Sequence, residues 1–205
     1  NSVRFDDEFI RQTLWRNFYD PYEWCWSNGR SRWDLLDVVR MVRALRPDGI
    51  KWPVDESGKA VNKLELLAKE NGLVHEKAHD ALSDVEALIG LSKLIKEKQP
   101  KMFEYLLKMR DKREVLKLVN LENPVPFVYS SGRYDPALQK TTVAYPVTVS
   151  AKPGSLLVWD TRHDPTPYLR ASPQALASII FASREARAVE GFESLPVKEL
   201  SPNKC

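Results

Sequence analysis

Apolar residues recur at intervals of three and four along most of the first half of the chain, and alternate with polar ones in several stretches of the second. Helices are therefore predicted to precede strands. Residues 2–5 read as the end of a strand, and residues 7–18 as a helix carrying Phe9, Leu14 and Phe18. In residues 33–45 the stripe Leu35, Val38, Val39, Val42 and Leu45 predicts a second helix, favoured at its start by Asp34 and Asp37, followed by Pro47 and suited to packing on a sheet. A short leucine-rich helix over residues 63–72 should end at Gly72. From about Asp80 onward, Leu82, Val85, Leu88, Ile89, Leu91, Leu94 and Ile95 predict a long amphipathic helix ending near residues 98–100.

Beyond residue 100 the character changes. Residues 101–119 read as a connecting helix dense in charge, while residues 124–129, 142–149 and 155–160 read as strands divided by Gly and Pro turns. Ser172-Pro173 is a helix start, and that helix should run to about Ser183. Two domains follow from this pattern: residues 1–99, of mixed α/β type, and residues 100–205, the connecting helix with a small β-rich domain. The loop over residues 47–61 is long enough to edge a substrate site.

Composition narrows the class further. The 205 residues are 43% hydrophobic and 29% charged, enough to bury a core. No apolar run approaches the roughly 20 residues needed to cross a bilayer, so no membrane association is expected. Cys25 and Cys205 form no metal-ligand spacing, which points to free thiols and a cytoplasmic location. A net charge of +3 does not by itself indicate nucleic acid, so the distribution of cations has to carry that case.

Candidate chemistry centres on Ala78-His79-Asp80-Ala81-Leu82-Ser83-Asp84. Here an imidazole able to take a proton near neutrality lies at the first turn of a helix, with the hard-oxygen ligand Asp84 on the edge of its buried face. Helix capping would use the same residue types. Asp6 sits at another strand-to-helix junction, where it either caps the helix or binds metal; Asp7 could serve as the cap and leave Asp6 for the ion. Five of the six tryptophans lie in the first 52 residues. In the turn-rich aromatic segment over residues 18–30, Tyr22 and Trp26 are candidates for stacking on bases, a contact of about 1 to 3 kcal/mol per ring, while Trp15 and Trp33 are expected to pack. Arg40, Arg43 and Arg46 predict a basic ridge on the second helix, facing either phosphates or plain solvent.

The order of leucines, Gly72, His79 and Asp84 resembles the third motif of the DEDD exonuclease superfamily in its histidine-bearing branch, and the segment from Asn1 to Glu8 resembles the second. Phe5-Asp6-Asp7-Glu8, Arg16-Asn17-Phe18-Tyr19-Asp20-Pro21-Tyr22, Ser31-Arg32-Trp33-Asp34-Leu35-Leu36-Asp37 and the block around His79 are similar, more closely, to the bacterial exonuclease I family. That resemblance is dense to about residue 110 and returns at Leu195-Pro196-Val197-Lys198 and Asn203-Lys204-Cys205.

It implies a ribonuclease-H-like α/β exonuclease domain, here partial with its first strands missing, then a Src-homology-3-like barrel domain with helices. The implied activity is 3′-to-5′ removal of 5′ mononucleotides from single-stranded DNA, in DNA repair and recombination, by a monomer. It also implies two Mg2+ ions, with Mn2+ as a substitute, held by Asp6, Asp84 and two further acids. His79 would then be the general base. Arg11, Tyr22, Trp26 and Arg40 match positions along the DNA path, and Lys63 stands where the family usually has an Arg, keeping the charge and losing the planar fork. Arg46 and Tyr105 match a surface that receives the acidic, Phe-ended tail of single-stranded-DNA-binding protein. The family's first motif, an Asp-x-Glu on the opening strand of the sheet, precedes the second motif, at which this sequence begins, so the piece alone is expected to be an inactive internal fragment. Two alternatives from other classes are a binding module for single strands or a partner protein, without catalysis, and a sister exonuclease that trims RNA.

Overall fold

A computed structural model describes residues 6–73 and 81–202. The chain forms two compact units: one takes in the residues up to 118 together with 129–141 and Pro202, the other residues 119–128 and 142–201.

Among the described residues the first unit is mainly helical: α1 (Asp6–Arg16), α2 (Leu35–Leu45), α3 (Leu64–Glu70), α4 (Ala81–Lys98), α5 (Pro100–Lys108) and α6 (Lys112–Leu118). The predicted stripe of α2 is its buried face except at Leu45, which ends the helix and is exposed. Leu35, Val38, Val39 and Val42 join Leu67 of α3, Leu91 and Ile95 of α4, and Phe103 and Leu106 of α5 in one core. Asp34 starts α2 by accepting a hydrogen bond from the Leu36 amide at 3.0 Å, which satisfies a donor the helix leaves open. Gly72, with φ at 65°, closes α3 as its position predicts.

The helix expected over residues 101–119 is two helices. The chain turns at Met109–Asp111, and α6 restarts where the Asp111 carboxylate accepts from the Arg113 amide at 2.9 Å. A helical hydrophobic pattern survives such a turn, because the carboxylate replaces the hydrogen bonds lost there. The predicted strand end over residues 2–5 lies outside the described residues.

In the second half of the chain β1 (Phe127–Ser130), β2 (Thr141–Val149), β3 (Leu156–Asp160) and β4 (Val197–Leu200) form a sheet in sequential order. β2 and β3 are antiparallel with Ala144 opposite Asp160, and the register shifts between Pro146 and Thr148. Proline has no amide to give the ladder, so an irregularity is the natural place for it. β4 runs antiparallel to β3, with Leu156 opposite Leu200. Ala144, Leu156, Val158 and Leu200 are buried. α7 (Pro173–Ile180) begins as predicted, with Ser172 accepting from the Ala175 amide at 3.2 Å. It ends three residues short of Ser183, which instead caps the four-residue α8 (Arg184–Arg187). Among the described residues no helix is long and apolar enough to cross a membrane.

Candidate nucleic-acid interface and acidic residues

α1 opens with three acids, and they have different surroundings. Asp6 and Glu8 are exposed, whereas Asp7 is buried at 2% exposure. Asp7 is the second residue of α1. Its carboxylate does not act as the helix cap considered for it; Oδ2 accepts from the guanidiniums of Arg11, one turn on, and of Arg32 at 2.6 Å. Burial explains the exchange, since a carboxylate removed from water needs a full counter-charge rather than an amide dipole. The hydrogen bond from Arg11 to Asp7 holds that guanidinium above its ordinary pKa. On its other side Arg11 lies 5.5 Å from the centroid of the Tyr22 ring, a cation–π contact.

Tyr22 is held in a turn organised by Asp20, whose carboxylate accepts from the amides of Tyr22 at 2.7 Å and Glu23 at 2.9 Å. Those bonds keep Asp20 below the usual carboxylate range. The turn presents rings to solvent: Tyr22 is 55% and Trp26 64% exposed, and Phe18 and Tyr19 are exposed beside them. Trp24, by contrast, is half-buried and donates to the Pro21 carbonyl. Trp33 packs as expected, edge-on to Phe103 with Nε1 donating to the Leu106 carbonyl. Trp15 does not. It is 68% exposed, because among the described residues of α1 only Asp7 is buried.

The basic ridge is also corrected. Arg43 is buried, donating to the carbonyls of Val61 and Pro53 at 2.8 Å and to Asn62 Oδ1 at 3.0 Å, with its guanidinium over the Trp52 ring. A residue three positions from Arg40 is rotated far enough around α2 to meet the returning loop, so the spacing that suggested a continuous ridge placed one member inside. Arg40 itself is half-buried and pairs with Asp37 at 2.6 Å. It lines a cavity of about 260 Å³ together with Asn62, Lys63, Gln139 and Lys140. Arg40 Nε and Gln139 Oε1 are buried without a hydrogen-bond partner in it or elsewhere among the described residues. Gln139 and Lys140, both in left-handed backbone (φ 55° and 59°), are residues that sequence reasoning passed over. Their approach to Arg40 is a long-range contact with no local signature. Arg46, the residue that ends α2, and Tyr105, on α5, are exposed.

Asp84 lies half-buried in the first turn of α4. His79 and His75 lie outside the described residues. Carboxylate oxygens are the donors a Mg2+-type ion takes, and Asp6 and Asp84 are of that kind. Among the described residues no three His, Cys, Asp or Glu side chains gather to hold a metal.

Residues 1–92 match the family model described as "Exonuclease", and residues 110–205 the model "Exonuclease I SH3-like domain". The chain belongs to the exonuclease I family. It is 42% identical over its whole length to exodeoxyribonuclease I of Haemophilus influenzae, and covers 44% of that protein. E. coli exonuclease I in complex with a dA16 oligonucleotide superposes with a TM-score of 0.92 at 38% identity, and an ExoI/SSB-Ct complex with 0.88 at 37%; all of this chain and 44% and 43% of those chains are covered. The chain thus spans less than half the length of the exonuclease I relatives it matches. Its fold is that of the family, an exonuclease domain followed by an SH3-like domain.

Proposed function

We propose that the protein carrying this chain is an exodeoxyribonuclease that shortens single-stranded DNA from its 3′ end and releases 5′ mononucleotides, working in DNA repair and recombination in the cytoplasm. The observation that carries the reading is the pairing of Arg11 with exposed Tyr22 on an aromatic turn, in a chain whose relatives are named exodeoxyribonuclease I and one of which is solved with a dA16 oligonucleotide. Tyr22 and Trp26 offer π-faces to successive bases, which every base accepts and which therefore suit a nuclease indifferent to sequence. Arg11, Arg40 and Lys63 offer cations to the backbone, and Lys140 adds a fourth at the same cavity as Arg40 and Lys63.

Asp6 and Asp84 would contribute carboxylate ligands to Mg2+, or Mn2+ in its place, and a bound divalent ion supplies positive charge against the phosphate being cleaved. His79 would take the proton from the attacking water. Arg46 and Tyr105, exposed and respectively cationic and aromatic, suit an acidic tail ending in Phe, and the ExoI/SSB-Ct complex supports single-stranded-DNA-binding protein as its source.

The test is product analysis on 5′-labelled single-stranded DNA and on RNA of the same sequence, with full-length protein and Mg2+. A ladder of DNA shortened from the 3′ end, with 5′ mononucleotides released, is expected. Preference for RNA, or binding without release, would overturn the reading.

A further inference from the structure

The buried carboxylate of Asp7, next to Asp6, is shared by two guanidiniums from different segments. Arg11 comes from α1 and Arg32 from the far end of the aromatic segment, and both converge on the single oxygen Oδ2 of Asp7. One carboxylate thus ties the two ends of the stretch that carries Tyr22 and Trp26. Arg11 in turn lies under the Tyr22 ring, so the chain of contacts runs from Asp7 through Arg11 to a ring 55% exposed. Asp7 Oδ1 and Arg11 Nε are both buried without a hydrogen-bond partner among the described residues. Desolvating a carboxylate and two guanidiniums offsets much of what their attraction gains, so such an arrangement is better explained as fixing geometry than as stabilisation alone.

We propose that Asp7 is a positioning residue for single-strand binding, fixing the Arg11 guanidinium and, through it, the Tyr22 ring in the orientation that receives a nucleotide. The proposal rests on the reading of Arg11 and Tyr22 as strand contacts.

Charge and geometry predict opposite signs, which makes the idea testable. Asp7→Asn removes a negative charge near the proposed phosphate path, so long-range electrostatics alone predicts tighter binding of DNA. Loss of positioning predicts weaker binding. The experiment uses full-length protein and oligo(dT), with binding read by anisotropy in EDTA and release read in Mg2+, for Asp7→Asn, Arg11→Met, Tyr22→Ala and the Asp7→Asn/Arg11→Met double variant.

Expected are an affinity loss of about tenfold for Asp7→Asn, the scale of one charge-assisted hydrogen bond, a rise in KM larger than the fall in kcat, and a double variant no weaker than the weaker single one. Asp7→Asn binding as well as or better than the wild type, while Arg11→Met is impaired, would overturn the proposal and leave the strand-contact reading standing. Unchanged binding in both Arg11→Met and Tyr22→Ala would overturn the reading itself and the proposal with it. Should Asp7→Asn fail to fold, Asp7→Asn/Arg32→Gln conserves net charge in a neutral pair; weakened binding in that variant supports the proposal, and wild-type binding overturns it.

Discussion

Arg40 and Arg43 stand three positions apart on α2 and have opposite fates, one lining a cationic cavity, the other buried under three oxygen acceptors. Arg40→Met should therefore lower the salt dependence of DNA binding by about one unit of slope with little loss of stability. Arg43→Met should cost about 3 kcal/mol in denaturant melts, because the carbonyls of Val61 and Pro53 lose their donor. Asp160 supplies a pH signature. Burial pushes its carboxylate up, yet hydrogen bonds from Arg162 and Thr142 outweigh that and leave it at about 2, below the ordinary 3.8. A depressed folded-state value means that the contribution is complete above the unfolded value and fades as pH falls from about 4 through 2. Acid melts of the wild type should show this loss, and Asp160→Asn, already destabilised at neutral pH by about 2 kcal/mol, should flatten it.

At the scale of elements, the helices with the longest apolar stripes were legible. The stripe of α2 and the run from Leu82 to Ile95 are set by local spacing, and Val42, Leu91 and Ile95 are buried where that spacing puts them, whereas Leu45, Leu82, Val85 and Ile89 of the same stripes are exposed. Leu91→Ala should accordingly cost about 3 kcal/mol, read as a lower denaturation midpoint with an unchanged slope. What the pattern did not reveal depends on partners distant in sequence. The break between α5 and α6 needs Asp111 to replace lost backbone bonds, and β4 is four residues whose identity as a strand comes from pairing with β3. In the candidate site, exposure of Tyr22 and Trp26 was legible because a turn-rich segment cannot bury so many rings. The burial of Asp7 and Arg43 was not, since charged residues enter a core only when partners on other segments meet them.

For the whole molecule, two family models account for nearly all of the chain, and the relatives are more than twice its length. Function is therefore tested on the full-length protein. In the proposed reaction Asp6 and Asp84 serve one divalent-metal site used for 3′ hydrolysis. The most direct measurement is Mn2+ binding by electron paramagnetic resonance alongside 3′ nucleotide release, in the wild type, Asp6→Asn and Asp84→Asn. Each variant is predicted to lose bound Mn2+ and at least about a hundredfold in release while still binding oligo(dT). Wild-type release by either folded variant would contradict the account.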